Sequence, residues 1–273
     1  MNSSLSVLIT IYDKESPDHF GQCLESLLVQ TMPAEEVVIV KDGPLRYELE
    51  KVIEYYRSQL PIVLIQLQKN QGQGVAANIG MLYCTNELVA RIDSDDICIP
   101  ERFARQRLFM SENPDIDVLG SSILEFKVTP KDGVNVRRLP SRHEEIAFFA
   151  KSRSPINNMS AMLRKSAVFK AGGYKPWRGF EDYYLWVNML MAGSKFSNFD
   201  EVHVYARCGN GMQSRRGGFE YAILEAKLFM QFRRLGFLTN YECIKNIVLR
   251  CPFRLFPASI RSFLYQHWLR NQM

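Results

Sequence analysis

Residues 88–106 read LVARIDSDDICIPERFARQ. An apolar run over 88–92 passes directly into Asp93-Ser94-Asp95-Asp96, and Pro100 then precedes a helical segment over 101–111. The run is strand-sized, so the acids fall at a strand's carboxyl end. Towards the N-terminus the same alternation recurs. Strands are expected at 5–11 (LSVLITI), 36–40 (EVVIV) and 62–66. Between them, Pro17 opens an amphipathic stretch with Phe20, Leu24, Leu27 and Leu28 at helical spacing, and 45–58 and 74–83 also read as helices. Apolar strands alternating with helices predict a parallel sheet covered on both faces. Such sheets bind ligands beyond the carboxyl ends of their strands, which places Asp42, in the turn Lys41-Asp42-Gly43-Pro44, on the same edge as Asp93 to Asp96. From about 100 to 200 the pattern is mixed, with a further strand at 117–126.

With 273 residues, 47% hydrophobic and 23% charged, the chain can bury one large domain and carry an appendage. The opening MNSSLSVLITIYDKE lacks the basic region and cleavage site of a signal peptide, and no stretch reaches the ~18 apolar residues of a spanning helix. Six scattered cysteines without a CxxC read as reduced thiols, and four unpaired histidines argue against zinc. The net charge of +5 is unevenly placed: residues 227–273 hold eight Lys/Arg against Glu242 alone, leaving the first 226 residues at −2. A basic tail implies an anionic partner, and no nucleic-acid recognition motif accompanies it. Pro252, Pro257 and the arginines exclude a spanning helix. Ile260, Phe263, Leu264 and Trp268, near Arg261 and Arg270, suit a segment lying on an anionic leaflet; a docked hairpin with solvated arginines is the alternative.

Three carboxylates within four residues repel one another, and a fold keeps them with solvent, basic partners or a hard cation such as Mg²⁺ or Mn²⁺. An acidic turn capping the next helix accounts for DSDD equally well when it is taken in isolation. The loop Asn70-Gln71-Gly72-Gln73-Gly74 lacks a GK[ST] ending and reads as a turn leading into a helix. Glu181-Asp182 precede Tyr183, Tyr184, Leu185 and Trp186; acids in a first helical turn complement the helix dipole, and Trp186 reads as core. In 207–218 (RCGNGMQSRRGG), Arg215 and Arg216 suit diphosphate oxygens, or form a solvated basic loop.

Taken together, ARIDSDDICIPERFARQ, VVIVKDGP, Lys69-Asn70-Gln71-Gly72 with Ala76 and Asn78-Ile79-Gly80, SVLITIYDKE, and Gly173-Tyr174, Gly179-Phe180-Glu181-Asp182 and Trp186 resemble glycosyltransferase family 2 of the GT-A fold. The resemblance spans about residues 5–216 in the family's order, and bacterial O-antigen and exopolysaccharide enzymes are nearest in pattern. It implies an α/β, Rossmann-like GT-A domain over 1–216 (nucleotide half to about 100, acceptor half beyond) and a helical basic tail over 217–273. Asp93 and Asp95 then look like a DxD pair holding Mn²⁺ or Mg²⁺, with Asp96 behind them. Ile11, Tyr12, Asp42, Asn78, Arg91 and Ser94 would line the donor cleft, with Arg215 and Arg216 closing on the diphosphate. Many members carry a second acid where this chain has Lys41, which leaves the nucleotide base open. Asp182 resembles the general base, with Glu181 orienting it, and Asn157 and Asn158 fall in the part resembling the acceptor wall. The implied reaction is inverting transfer of glucose or galactose from a UDP-sugar to a lipid-diphosphate-linked saccharide, at the cytoplasmic face of an anionic membrane. An N-acetylhexosamine donor, or an inactive membrane-bound scaffold, are the alternatives.

Overall fold

The structure is a computed structural model describing residues 4–133, 135–208 and 217–256. The chain forms two compact units, Met1–Pro176 with Glu181–Arg207, and Trp177–Phe180 with Cys208–Met273. Arg215, Arg216 and the tail beyond 256 lie outside the described residues.

The first unit follows the expected alternation. β1 (Leu5–Ile11), α1 (Pro17–Leu28), β2 (Glu36–Lys41), α2 (Tyr47–Arg57), β3 (Ile62–Gln66), α3 (Gln73–Tyr83) and β4 (Leu88–Arg91) succeed one another. Each lies within two residues of its sequence-based bounds. β5 (Ile97–Cys98), α4 (Arg102–Glu112), β6 (Ile116–Phe126), β7 (Asn135–Arg137), α5 (His143–Phe149), β8 (Met162–Arg164), α6 (Lys165–Lys170), α7 (Glu181–Met191) and β9 (Lys195–Arg207) complete it. The sequence pattern does not reveal β9, although it is the longest strand among the described residues. Its SNFDEVHVYAR mixes polar and apolar residues, and its register against β6 shifts.

The sheet order is β3-β2-β1-β4-β8-β6-β9-β5, with β7 paired to β6. β1 pairs parallel with β2 and β4, and β2 with β3. β8 is antiparallel to both β4 and β6, and β6 is parallel to β9, so β9 runs in the direction of β4. The carboxyl ends of β1, β2, β4 and β9 therefore share one edge. Strand side chains alternate between faces. Val7, Ile9 and Ile11 pack with Phe20, Leu24 and Phe103 on one side. Leu8, Val38 and Val40 pack with Ala76, Met81 and Trp186 on the other. Trp186 is fully buried, as its sequence context implies.

The second unit holds α8 (Phe219–Arg234) and α9 (Asn240–Leu255). Thr239 and Glu242 form a capping box that starts α9. Pro252 lies inside α9, where it removes one backbone donor and the helix nevertheless continues. Among the described residues no helix is long and apolar enough to cross a membrane.

Helix α3 sits close against the sheet at Gly80. A Cβ on Gly80 would lie against Leu8 Cδ1, and 2.8 Å from Val40 Cγ2. Gly80→Ala gains about 1 kcal/mol of helix propensity. Overpacking a rigid sheet face costs about 1–3 kcal/mol. The variant should therefore melt at a lower temperature than the wild type in thermal denaturation, against the direction that propensity alone gives.

Candidate active site

The edge is assembled from backbone first. The Asp42 N–H donates to Ile11 O at 2.7 Å, tying the ends of β1 and β2 together. Both carboxylate oxygens of Asp42 accept from the next loop, Oδ1 from Gln71 N–H at 2.7 Å and Oδ2 from Gly72 N–H at 2.9 Å. Gly43 has φ +96°, and a Cβ there would sit 2.8 Å from Asn70 N, so the KDGP and KNQG turns fit together only through glycine. Lys41 is spent on an ion pair with Glu50 at 2.7 Å. Asp42 is thus the clamp of the loop that leads into α3, and it is buried.

That clamp positions the first turn of α3. Gln73 Nε2 donates to Asp93 Oδ1 at 3.2 Å. A Cβ on Gly74 would lie 2.7 Å from Glu181 Cγ and from Lys175 O, so the start of α7 rests directly on the start of α3. Asn78, one turn further on, accepts from Tyr174 N–H at 3.0 Å. Tyr174 is buried, and its hydroxyl is pushed up to about 12, chiefly by burial; Arg91 opposes this, and Asp182 and Asp93 reinforce it. One phenol therefore senses Arg91, Asp182 and Asp93 together. Motifs some ninety residues apart in sequence meet around it.

The acids form the other side of the site. Arg91 is fully buried, donates to Leu8 O at 2.9 Å, and lies 3.7 Å from Asp93. Ser94 Oγ donates to Glu15 Oε2 at 2.9 Å, which brings a fourth carboxylate into the cluster. Asp96 is buried and accepts from Arg207 N–H at 2.8 Å. The Arg207 side chain donates to Asp95 O at 3.1 Å and Val128 O at 3.2 Å, and to Gln22 Oε1 at 2.6 Å. Its guanidinium also lies over the Phe126 ring at 4.6 Å.

This cluster is short of positive charge. Burial pushes Asp95 up to about 7, with Glu15 and Asp93 adding to the effect and Arg207 opposing it. Burial likewise holds Asp96 well above the usual carboxylate range, reinforced by Asp95 and Asp93. Hard oxygen donors under mutual repulsion suit a hard divalent cation. Among the described residues no group of three His, Cys, Asp or Glu is arranged to hold a metal by itself.

Ile11, Tyr12, Asp42, Arg91, Asp93, Ser94 and Asp95 lie at or just beyond the strand ends of this edge, while Asn78, Glu181 and Asp182 reach it through the α3–α7 contact. Asn157, by contrast, is buried and donates to Ser121 O at 2.8 Å, a packing role. Glu15, Gln73 and Arg207 lie within the quoted stretches SVLITIYDKE, 70–74 and 207–218, but the motif reading does not single them out as site residues. The one available signal was positional: Glu15 follows the first strand, and Arg207 ends the last one.

Comparison with known proteins gives the family. Residues 6–173 match the model of glycosyl transferase family 2. The chain is 37% identical, over 97% of its length and 96% of the relative's, to the UDP-Gal:alpha-D-GlcNAc-diphosphoundecaprenol beta-1,3-galactosyltransferase of Escherichia coli. It is also 37% identical to the amylovoran biosynthesis glycosyltransferase AmsE of Erwinia amylovora, over 96% of this chain and 97% of that one. Among solved structures, the mannosyltransferase PcManGT from Pyrobaculum calidifontis in complex with GDP-Man and Mn²⁺ superposes with a TM-score of 0.69 at 15% identity, covering 98% of this chain and 76% of that one. The chain is an α/β glycosyltransferase of the GT-A fold and belongs to glycosyl transferase family 2.

Proposed function

We propose that this enzyme transfers a hexose, galactose or glucose, from a UDP-sugar to a lipid-diphosphate-linked saccharide, with inversion, in the synthesis of a surface polysaccharide. The observation that carries the reading is the meeting of the Asp93–Asp96 acids with the start of α7, through Gln73 on Asp93 and Gly74 against Glu181. The galactosyltransferase and amylovoran relatives support the substrate class and the pathway type. The Mn²⁺ of the mannosyltransferase structure supports the cation. Residues 1–216 form the catalytic part, and 217–273 attach it peripherally to the inner face of the cell membrane.

Asp93 and Asp95 would hold Mn²⁺ or Mg²⁺, which when bound neutralises charge developing on the diphosphate leaving group. Ile11, Tyr12 and Asp42 border the nucleotide, and Arg91 fixes Asp93 from beneath. Asp182 accepts the proton of the acceptor hydroxyl while its oxygen bonds to the sugar's anomeric carbon and the bond to diphosphate breaks. Attack opposite the leaving group turns a UDP-α-sugar into a β-linkage. Glu181, packed on Gly74, sets the position of Asp182. Arg215 and Arg216 would close on the diphosphate.

Asp95→Ala tests the acids. It removes a carboxylate that burial and its neighbours disfavour, so the melting temperature should hold or rise while transfer is lost. Chelation should reproduce the loss, with Mn²⁺ or Mg²⁺ restoring only the wild type; full turnover in excess chelator would remove the metal from the mechanism. Asp182→Asn tests the base. It keeps size and helix-start polarity but cannot take a proton, so turnover should fall at least ~10²-fold with donor affinity nearly constant. A variant that instead melts early and keeps normal turnover per folded molecule would assign Asp182 to the helix start alone. A panel of UDP- and GDP-sugars with a synthetic lipid-diphosphate saccharide identifies the donor.

A further inference from the structure

The two sides of helix α9 differ: Cys243 and Asn246 are buried, while most of its large apolar side chains are exposed. Towards α8 it presents charge: Arg250 Nη2 pairs with Glu225 Oε1 at 2.8 Å, and Arg254 Nε pairs with Glu225 Oε2 at 2.7 Å. Glu225 is only 1% exposed. Away from α8 it presents Tyr241, Ile244, Val248, Leu249, Leu255 and Phe256, each between 47% and 73% exposed. At 3.6 residues per turn these six fall within an arc of about 140°, and Lys245 is the one charged residue inside that arc. A helix on a water-facing surface has the opposite arrangement, with its apolar stripe turned inward. A buried ion cluster is a weaker source of stability than apolar packing of the same volume, so folding of the unit alone does not account for the choice. Large exposed apolar faces mark interaction surfaces.

Charge indicates the occupant. Residues 217–256 carry six Lys/Arg and three acids, a net +3. One of the acids, Glu225, is committed to its two arginines, and another, Glu242, bonds to the Thr239 cap. Arg233 Nε donates to Asn240 Oδ1 at 2.5 Å, which sets a cation beside the start of the apolar face. Lys245 stands within it. A second copy of the chain meeting this face about a two-fold axis would press two such basic surfaces together and strip water from both lysines. An anionic bilayer accepts the apolar side chains and lets lysine and arginine reach the phosphates.

We propose that the outward face of α9 lies in the headgroup–acyl boundary of an anionic membrane, with its axis along the surface. This rests on the reading of a lipid-linked acceptor and gives that reading a docking surface. Sixteen residues, about 24 Å long and with two arginines on the inward side, suit a helix that lies on a membrane instead of crossing it.

The full chain should sediment with vesicles of phosphatidylglycerol and phosphatidylcholine, and less so in high salt. Val248→Glu with Leu249→Glu should weaken binding by about tenfold or more, with the thermal melt and lipid-free donor hydrolysis unchanged. Lys245→Gln should weaken it several-fold and flatten its salt dependence. Wild-type vesicle binding by the double glutamate variant would overturn the proposal. So would a wild-type dimer in sedimentation velocity, without vesicles, that the same variant dissociates, because that assigns the face to a second copy. Donor turnover separates the two readings. A chain without transferase activity that still binds vesicles through this face removes the catalytic reading and keeps the membrane face. A chain that turns over donor yet ignores these vesicles removes the membrane face alone.

Discussion

Four carboxylates, from Glu15, Asp93, Asp95 and Asp96, gather at the edge where β1, β2, β4 and β9 end. Their mutual repulsion, in a setting that also strips water from Asp95 and Asp96, works against the folded state. The surrounding structure can be understood as what restrains it. The Arg207 backbone caps Asp96 and its guanidinium holds the Asp95 carbonyl, while Arg91 approaches Asp93 from within the core. Arg91 stays 3.7 Å from Asp93, and the Arg207 guanidinium donates to carbonyl and amide oxygens. Burial and mutual repulsion therefore hold the Asp95 and Asp96 carboxyls above their usual range.

A second constraint joins this edge to the acceptor side. The starts of α3 and α7 approach closely because Gly74 has no side chain to separate them, and Asn78 and Tyr174 tie the same two regions one turn later. Asp42 contributes at one remove, since its carboxylate fixes the loop from which α3 departs. A change at Asp42 would therefore reach Gln73 and Asp93 through the backbone as well as through any contact with a nucleotide. Polar groups that hold loops at strand ends let a site be rigid without a rigid core beneath each residue.

In the second unit the balance is different. On its inward side α9 buries Cys243 and Asn246 and pairs Arg250 and Arg254 with Glu225, while its outward side is apolar. Of the basic residues of α9, Arg250 and Arg254 are paired with Glu225, and Lys245 stands beside the exposed apolar face.

The sequence by itself determined the parallel half of the sheet and the acids at its edge. Apolar runs such as LSVLITI and EVVIV have no polar face to present to water, so they must be covered on both sides, and strand direction then carries Asp42 and Asp93 to one edge. Trp186 was legible as core for the same local reason. Tertiary structure alone decided the rest. β9 mixes polar and apolar residues because its neighbours change along its length, so periodicity does not show it. Glu15 and Arg207 become part of the acid cluster only when the first and last strands end at the same edge of the sheet, nearly two hundred residues apart in sequence. The contact of Gly74 with Glu181 is equally non-local. The outward apolar face of α9 depends on which side α8 covers, the side on which Glu225 meets Arg250 and Arg254, and no local pattern reveals that.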